Sequence, residues 1–339
     1  IDLSNIQFWY EKEEVDAFLQ ERNETIEELL QTLNERVKSL ARVPVSHFQV
    51  GAAIYTKSGR IFLGTNIEVE HVAINHTIHA EQCALSNMFL HTEKDGKDAV
   101  SILCVTETPC GHCRQIYQEL PSAGAIRVIV KKHGVDCPLA SLLPYSFELP
   151  IHGVVHHLFE AASDVSSPDF SVVAQNWLLF SSPYRDSILQ KTEKLYRENF
   201  CWYSGGRYVA VFLCRDGRLA AGCTIESSAY NPTVNCFQMA VIDCQAHHIS
   251  YEEIESMYLV ESESSPFSYR AYGELLARTL NPKGPVPFRY SQIRIWFVCF
   301  QSYCHSSLGW KSRIHLLNEW FQEIALDRRM SWKPERAPL

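Results

Sequence analysis

The sequence predicts an α/β protein made of two layered copies of one unit, each a mixed sheet flanked by helices. Three observations carry this. Between residues 50 and 130, apolar segments short enough to be strands alternate with segments of helical spacing, the pattern of a layered α/β fold. A hairpin signature at 50–65 returns at 209–224, with Gly217 and Gly222 matching Gly59 and Gly64, and Glu226 matching Glu68. The length of 339 residues suits about two domains.

Over residues 11–40, Val15, Phe18, Leu19, Ile26, Leu29, Leu30, Leu33, Val37 and Leu40 mostly follow the three-and-four spacing of one helix face, and Asn23 and Thr25 are expected to break that helix in two. Residues 50–55 and 60–65 read as strands joined by Lys57-Ser58-Gly59, a Gly-bearing hairpin connection. A helix from His79, a buried strand at 100–105, a helix from Cys110 and a strand at 126–130 complete the first unit. From 138 to 183 the pattern dissolves into Pro, Ser and His. Beyond it the hairpin returns around Arg215-Asp216-Gly217, and Thr233-Val234-Asn235-Cys236-Phe237-Gln238-Met239-Ala240 aligns with Thr77-Ile78-His79-Ala80-Glu81-Gln82-Cys83-Ala84. His79 has become Asn235 and Glu81 has become Phe237. Ser265-Pro266-Phe267-Ser268-Tyr269-Arg270 stands where the first copy has its Cys-x-x-Cys, and it holds no cysteine. Ile293-Arg294-Ile295 is expected to close the second sheet, in the role of Ile126-Arg127-Val128. In the tail, Ile314, Leu317, Trp320, Phe321 and Ile324 have helical spacing.

Composition excludes several classes. Hydrophobic residues at 46% and charged residues at 21% are ordinary for a folded chain, which disfavours disorder and fibrous repeats. A net charge of −8 lacks the footprint of a protein that grips a phosphate backbone. The longest apolar runs are about six residues against the ~20 of a membrane span. No basic segment followed by an apolar core opens the chain, so the expected location is the cytoplasm.

Chemistry concentrates in His79-Ala80-Glu81 and Thr108-Pro109-Cys110-Gly111-His112-Cys113-Arg114. One imidazole and two thiolates suit zinc, and three protein ligands leave the fourth position open, the pattern of a catalytic site. If Pro109 starts a helix, both cysteines lie on its first turn, where the dipole favours thiolates. Glu81 is left over as a carboxylate able to handle protons. His79, Cys110 and Cys113 are therefore the expected zinc ligands. A redox dithiol or a structural zinc corner is the alternative, although no second Cys/His pair of suitable spacing appears. A further His-x-Glu, His91-Thr92-Glu93, has no partner motif.

His-x-Glu followed by Pro-Cys-x-x-Cys is the signature of the zinc nucleobase deaminases. Together with Phe48-Gln49-Val50-Gly51-Ala52, Asn66-Ile67-Glu68 and Tyr230-Asn231-Pro232-Thr233, it makes the chain resemble a cytidine deaminase of the two-domain homodimeric type over about residues 29–280. The resemblance implies two three-layer α/β/α domains, the second a degenerate copy without zinc ligands. It gives a catalytic domain at 1–149 with a helical lead-in at 1–42, a connection at 150–182, a zinc-free domain at 183–300, and an extension of unassigned role at 301–339. It also implies that Phe48 packs on the pyrimidine, that Asn66 and Glu68 hold the ribose, that Ala80 borders the substrate, and that Glu81 shuttles protons. The implied cofactor is one Zn2+ per chain and the implied assembly a homodimer. Where the family has Phe-Gly-Pro, this chain has Phe147-Glu148-Leu149, so Phe147 receives no role.

The expected reaction is hydrolytic deamination of cytidine and deoxycytidine at C4, with release of ammonia, in pyrimidine salvage. The rivals are a deaminase acting on nucleotides or polynucleotides and a non-enzymatic scaffold stapled by zinc. Acidic net charge and the Asn66/Glu68 pair oppose the first, and the open ligand count with Glu81 opposes the second.

Overall fold

The computed structural model describes residues 1–92, 99–151, 153–159, 170, 173, 176–177 and 182–293. These residues belong to one compact unit, Ile1–Trp296. The tail with Ile314 to Ile324, Glu93 of the second His-x-Glu, and Arg294 and Ile295 of the expected closing strand lie outside the described residues.

The helical lead-in divides as its sequence suggests. Helix α1 (Lys12–Arg22) ends at Asn23, which takes the left-handed conformation at φ 53°. Helix α2 (Ile26–Lys38) then starts from Thr25 with a capping box: Thr25 N donates to Glu28 Oε2 at 2.8 Å and Glu28 N returns to Thr25 Oγ1 at 3.3 Å. Strands β1 (Trp9–Tyr10), β2 (Gly51–Thr56), β3 (Ile61–Thr65), β4 (Val100–Val105), β5 (Arg127–Val130) and β6 (Val135–Pro138) form one sheet in the order β1-β3-β2-β4-β5-β6. Only the β4/β5 pair is parallel. Because side chains alternate across a strand, Ala53, Leu63, Ile102 and Ile129 meet Leu29, Leu33 and Val37 of α2 on one face, while Ala52, Ile54, Phe62 and Leu103 pack with the helix α3 (Ala80–His91) on the other. Helix α4 (Gly111–Ile116) and helix α5 (Leu139–Leu142) complete this half.

The second half repeats the plan with helix α6 (Arg185–Glu198), β7 (Tyr208–Cys214), β8 (Leu219–Cys223), α7 (Cys236–Ala246), β9 (Ile254–Ser262), α8 (Arg270–Thr279) and β10 (Phe288–Ile293). Its sheet runs β10-β9-β7-β8, with β9/β10 parallel like β4/β5. Irregularities recur at equivalent places, between Tyr55 and Thr56 and between Leu213 and Cys214. The closing strand begins at Phe288, earlier than the expected Ile293, which is its last described residue. Pro285 and Pro287 hide this start from a periodicity reading, since Ser291 and Ile293 are the buried residues.

The halves are tied by a reciprocal pair of bonds. Gln82 Nε2 donates to Pro232 O at 2.9 Å, and Gln238 Nε2 donates to His76 O at 3.1 Å. Equivalent residues thus exchange equivalent bonds, as across a two-fold axis between α3 and α7. Among the described residues of 150–182, Leu158, Phe159, Val173 and Trp177 are buried in the core. Among the described residues no helix is long and apolar enough to cross a membrane.

Candidate active site

The approach of β3 to α3 fixes the first half of the site. Gly64 lets the strand touch the helix, since a Cβ there would stand 2.2 Å from Ala84 N and 2.4 Å from Ala80 O. Beyond β3 the chain pairs with the segment leading into α3, Ile67 N donating to Ile78 O and Ile67 O accepting from Ile78 N, both at 2.9 Å. Asn66 and Glu68 therefore flank the bridge to the segment that ends at His79. His79 is the N-cap of α3, with its amide donating to Gln82 Oε1 at 3.1 Å.

The second half of the site comes from α4, whose N-cap is Cys110; the helix begins at Gly111, so Pro109 stands one residue outside it. N-cap and third helical residue face each other in such a start, which is why a Cys-x-x-Cys spacing brings both sulfurs together. Arg114 locks the turn, its Nε donating to Pro109 O at 2.8 Å and its Nη1 to Leu142 O at 2.9 Å. Tyr117 Oη, donating to Glu81 O at 3.0 Å, binds α4 to α3.

His79, Cys110 and Cys113 converge. Each sulfur is 3.4 Å from His79 Nδ1, and the sulfurs are 3.7 Å apart. A tetrahedral zinc with bonds of about 2.3 Å to sulfur and ~2.0 Å to nitrogen separates its ligands by about 3.8 Å and ~3.6 Å respectively, so this donor set fits the metal with almost no movement. The thiols share their protons unevenly. The bond from Cys113 pulls Cys110 down to about 3, His79 adding to the effect, while the same bond and burial push Cys113 up. Glu81 is 4% exposed, and burial raises its carboxyl above the usual range although the neighbouring His79 opposes this.

Phe48, Asn66 and Glu68 form a second group. Asn66 Oδ1 accepts from Val50 N at 2.8 Å and its Nδ2 donates to Phe48 O at 2.7 Å; Glu68 Oε2 accepts from Val45 N and Ser46 N at 2.9 and 3.0 Å. Burial alone would raise Glu68, but the Ser46 hydroxyl and these amides outweigh it and hold the carboxyl below its usual value. Both side chains thus shape the loop that carries Phe48, which is 54% exposed. Ala80 is buried in the first turn of α3.

The second half keeps the scaffold without the His and Cys donor set. Glu226 Oε2 accepts from Tyr203 N and Ser204 N at 3.1 and 3.0 Å, as Glu68 does from Val45 and Ser46. Asn235 caps α7 through bonds from Phe237 N and Gln238 N. Phe237 is fully buried against Phe212, Tyr272 and Phe288, where the first half has its carboxylate. A cleft of about 560 Å³ lies in this half, lined by Tyr203, Glu226, Tyr230, Phe267 and Tyr269 among others. Gln82, Arg114 and Ser46 carry more of the site's geometry than the sequence reading credits. The alignment of Gln82 with Gln238 is the one signal that points to any of them.

This arrangement matches a known family in both halves. Residues 23–130 and again 139–274 match the cytidine and deoxycytidylate deaminase zinc-binding region. Cytidine deaminase 6 of Arabidopsis thaliana is 35% identical over 75% of this chain and 88% of its own length; Cytidine deaminase 1 of the same plant is 29% identical over 81% and 95%. A cytidine deaminase of Shewanella loihica is 31% identical over 71% of this chain and 75% of its own. The fold and site define a zinc-binding deaminase. The chain belongs to the cytidine and deoxycytidylate deaminase family.

Proposed function

We propose that the chain hydrolyses cytidine and deoxycytidine to the uracil nucleosides and ammonia, using His79, Cys110, Cys113 and Glu81. The observation that carries this is the convergence of three zinc-type donors beside a buried carboxyl that is not needed as a ligand. Zinc bound there supplies Lewis acidity toward a water molecule. Glu81 would take one proton of that water and deliver it to the ring nitrogen beside C4 as the oxygen bonds to C4, then carry the remaining hydroxyl proton to the amino group, which departs as ammonia when its bond to C4 breaks. Phe48 covers the pyrimidine from its loop, Ala80 lines the pocket floor, and Asn66 and Glu68 hold the sugar. One catalytic zinc serves each chain, because Asn235 stands in place of the imidazole and residues 265–270 hold no cysteine in the second half. Purified protein should release ammonia and uridine in equal amounts from cytidine, and a chelator that strips zinc should stop it. Absence of ammonia from zinc-replete protein overturns the reading.

Thiolate ligands need a reducing compartment, which supports a cytoplasmic role in pyrimidine salvage. Val45, Phe48, Ile74, Tyr145 and Phe147 are exposed apolar residues in segments tied to the site, and a second copy of the chain would cover them in a homodimer. Sedimentation at assay concentration should find the dimer; a monomer of full activity rejects it.

Nucleosides should be used far better than cytidine monophosphate or single-stranded oligonucleotides, since a carboxylate at Glu68 repels a nearby phosphate. Glu68→Gln separates this role from loop anchoring. A Gln carbonyl still accepts from Val45 and Ser46, so the melting temperature should change little. Loss of one charge-assisted bond to the sugar should lower kcat/KM for cytidine by about 10- to 100-fold and shrink the penalty against the monophosphate. A large melting shift with unchanged discrimination makes Glu68 an anchor alone.

A further inference from the structure

A second cluster of metal-type donors lies among the described residues, away from the candidate active site. It joins His91, the last residue of α3, to Asp243 in the last turn of α7 and His247 just beyond it; one donor atom from each falls within 4.8 Å of the others. The spacing that relates Glu81 to Phe237 also relates His91 to His247. The two histidines are therefore equivalent residues of the duplicated helices, facing each other across the axis that Gln82 and Gln238 mark, with ring centres 5.4 Å apart.

The bonds around them leave donors aimed at one another. His91 Nδ1 lies 2.9 Å from the Asn87 carbonyl, which can only accept, so the neutral ring keeps its lone pair on Nε2, 4.0 Å from Asp243 Oδ1. Asp243 is fully buried. Its Oδ2 accepts from Ala221 N at 2.8 Å and has Lys191 Nζ at 4.0 Å, whereas Oδ1 has no hydrogen-bond partner. His247 Nδ1 is 3.1 Å from Oδ1 and 3.0 Å from the Asp243 main-chain oxygen; when it carries the proton, its in-plane N–H serves the main-chain oxygen. A buried carboxylate oxygen without a donor is costly, and a cation is a natural partner for it. At the equivalent position the first half has neutral Asn87, whose Nδ2 donates to Phe8 O and Leu63 O while its Oδ1 is likewise buried without a partner. Replacement of the amide by a carboxylate in one copy thus puts a single negative charge between two imidazoles on the axis.

We propose that His91, Asp243 and His247 bind a divalent ion of the zinc type that pins the last turns of α3 and α7 together. Two imidazoles and a carboxylate suit zinc, and such ligands stand about 3.3 Å apart around it, so His91 must close on Asp243 by a fraction of an ångström. Binding by His247 Nδ1 moves its proton to Nε2. This ion is additional to the catalytic zinc and touches none of the residues assigned to the reaction.

Equilibrium dialysis against Zn2+ tests the proposal. Wild-type protein should saturate at one zinc more than His247→Gln, a change at a partly exposed side chain, with cytidine deamination equal in both. Asp243→Asn should also lose that one zinc. Added Zn2+ should raise the melting temperature of the wild type and not of His247→Gln. Trp9 stacks on His91 at 4.1 Å and meets His247 edge-on at 5.6 Å, so Ni2+ should quench tryptophan emission in the wild type, and Trp9→Phe should remove that quenching. Equal zinc counts in wild type and His247→Gln overturn the proposal. Because the readout is a difference between variants, it stands or falls independently of the catalytic assignment.

Discussion

Replacing Glu81 by Gln is expected to lower kcat on cytidine by about 10²- to 10⁴-fold, the usual contribution of a positioned acid and base, while zinc at His79, Cys110 and Cys113 is retained. Gln keeps the size and the polar atoms of Glu but cannot carry the proton. Burial already favours a neutral side chain here, so the amide brings no new desolvation cost. The three donors keep their mutual distances without Glu81, because α4 is held by Arg114 and Tyr117 bonds to the Pro109, Leu142 and Glu81 main-chain oxygens. Cys113→Ala, by contrast, should lose metal and turnover together. Metal analysis and ammonia release on the same samples give the answer. A Glu81→Gln protein deaminating at the wild-type rate sinks the proton-shuttle role, and one that loses its zinc makes Glu81 a structural support.

Much of this architecture is legible in the sequence, for reasons that can be named. Hairpins with Gly at the turn, a buried β4, and a helix divided at Asn23 all follow from local chemistry: left-handed backbone, side-chain alternation and a Thr/Glu capping box. The candidate metal ligands are legible because their spacing is local, an N-cap and a third helical residue in α4 plus an N-cap in α3. Two-residue β1 and the edge strand β6, with Asp136 and Pro138 in it, have too little apolar periodicity to be seen. What stays hidden is non-local. Nothing in Asn66 and Glu68 announces that they fasten residues 45–50, because the partners are backbone amides. The Glu68 anchor recurs at Glu226, in the half that lacks the His and Cys donor set, so the anchoring does not depend on that set. The His91–His247 pairing is hidden for the same reason: each histidine is ordinary in its own helix, and only the crossing of the duplicated helices puts them together.

The position most sensitive to stability should be Gly64, with Gly222 as its equivalent. Gly64→Ala places a Cβ 2.2 Å from Ala84 N and 2.4 Å from Ala80 O, backbone atoms of a helix that packs on both β2 and β3. No rotamer relieves such a clash, so α3 must lift from the sheet. The expected cost is about 3 kcal/mol or more, at the upper end for overpacking. Gly222→Ala meets Ala240 N and Cys236 O at 2.5 Å, and should cost a similar amount. The two differ in consequence. Lifting α3 displaces His79 and Glu81 from the α4 cysteines, so Gly64→Ala protein that remains folded should lose zinc affinity and turnover. Gly222→Ala acts first on α7, which carries Asn235 and Phe237 where α3 carries His79 and Glu81, and should weaken stability with far less effect on kcat. Gly111→Ala is the control, for a Cβ there has nothing within 4 Å and the first turn of a helix accepts alanine well. Chemical denaturation of the three variants beside zinc content and kcat reads all of this. Equal stability of Gly64→Ala and Gly111→Ala would mean that close backbone approach does not set the distance between sheet and helix, and the account of how the fold positions His79 would fail with it.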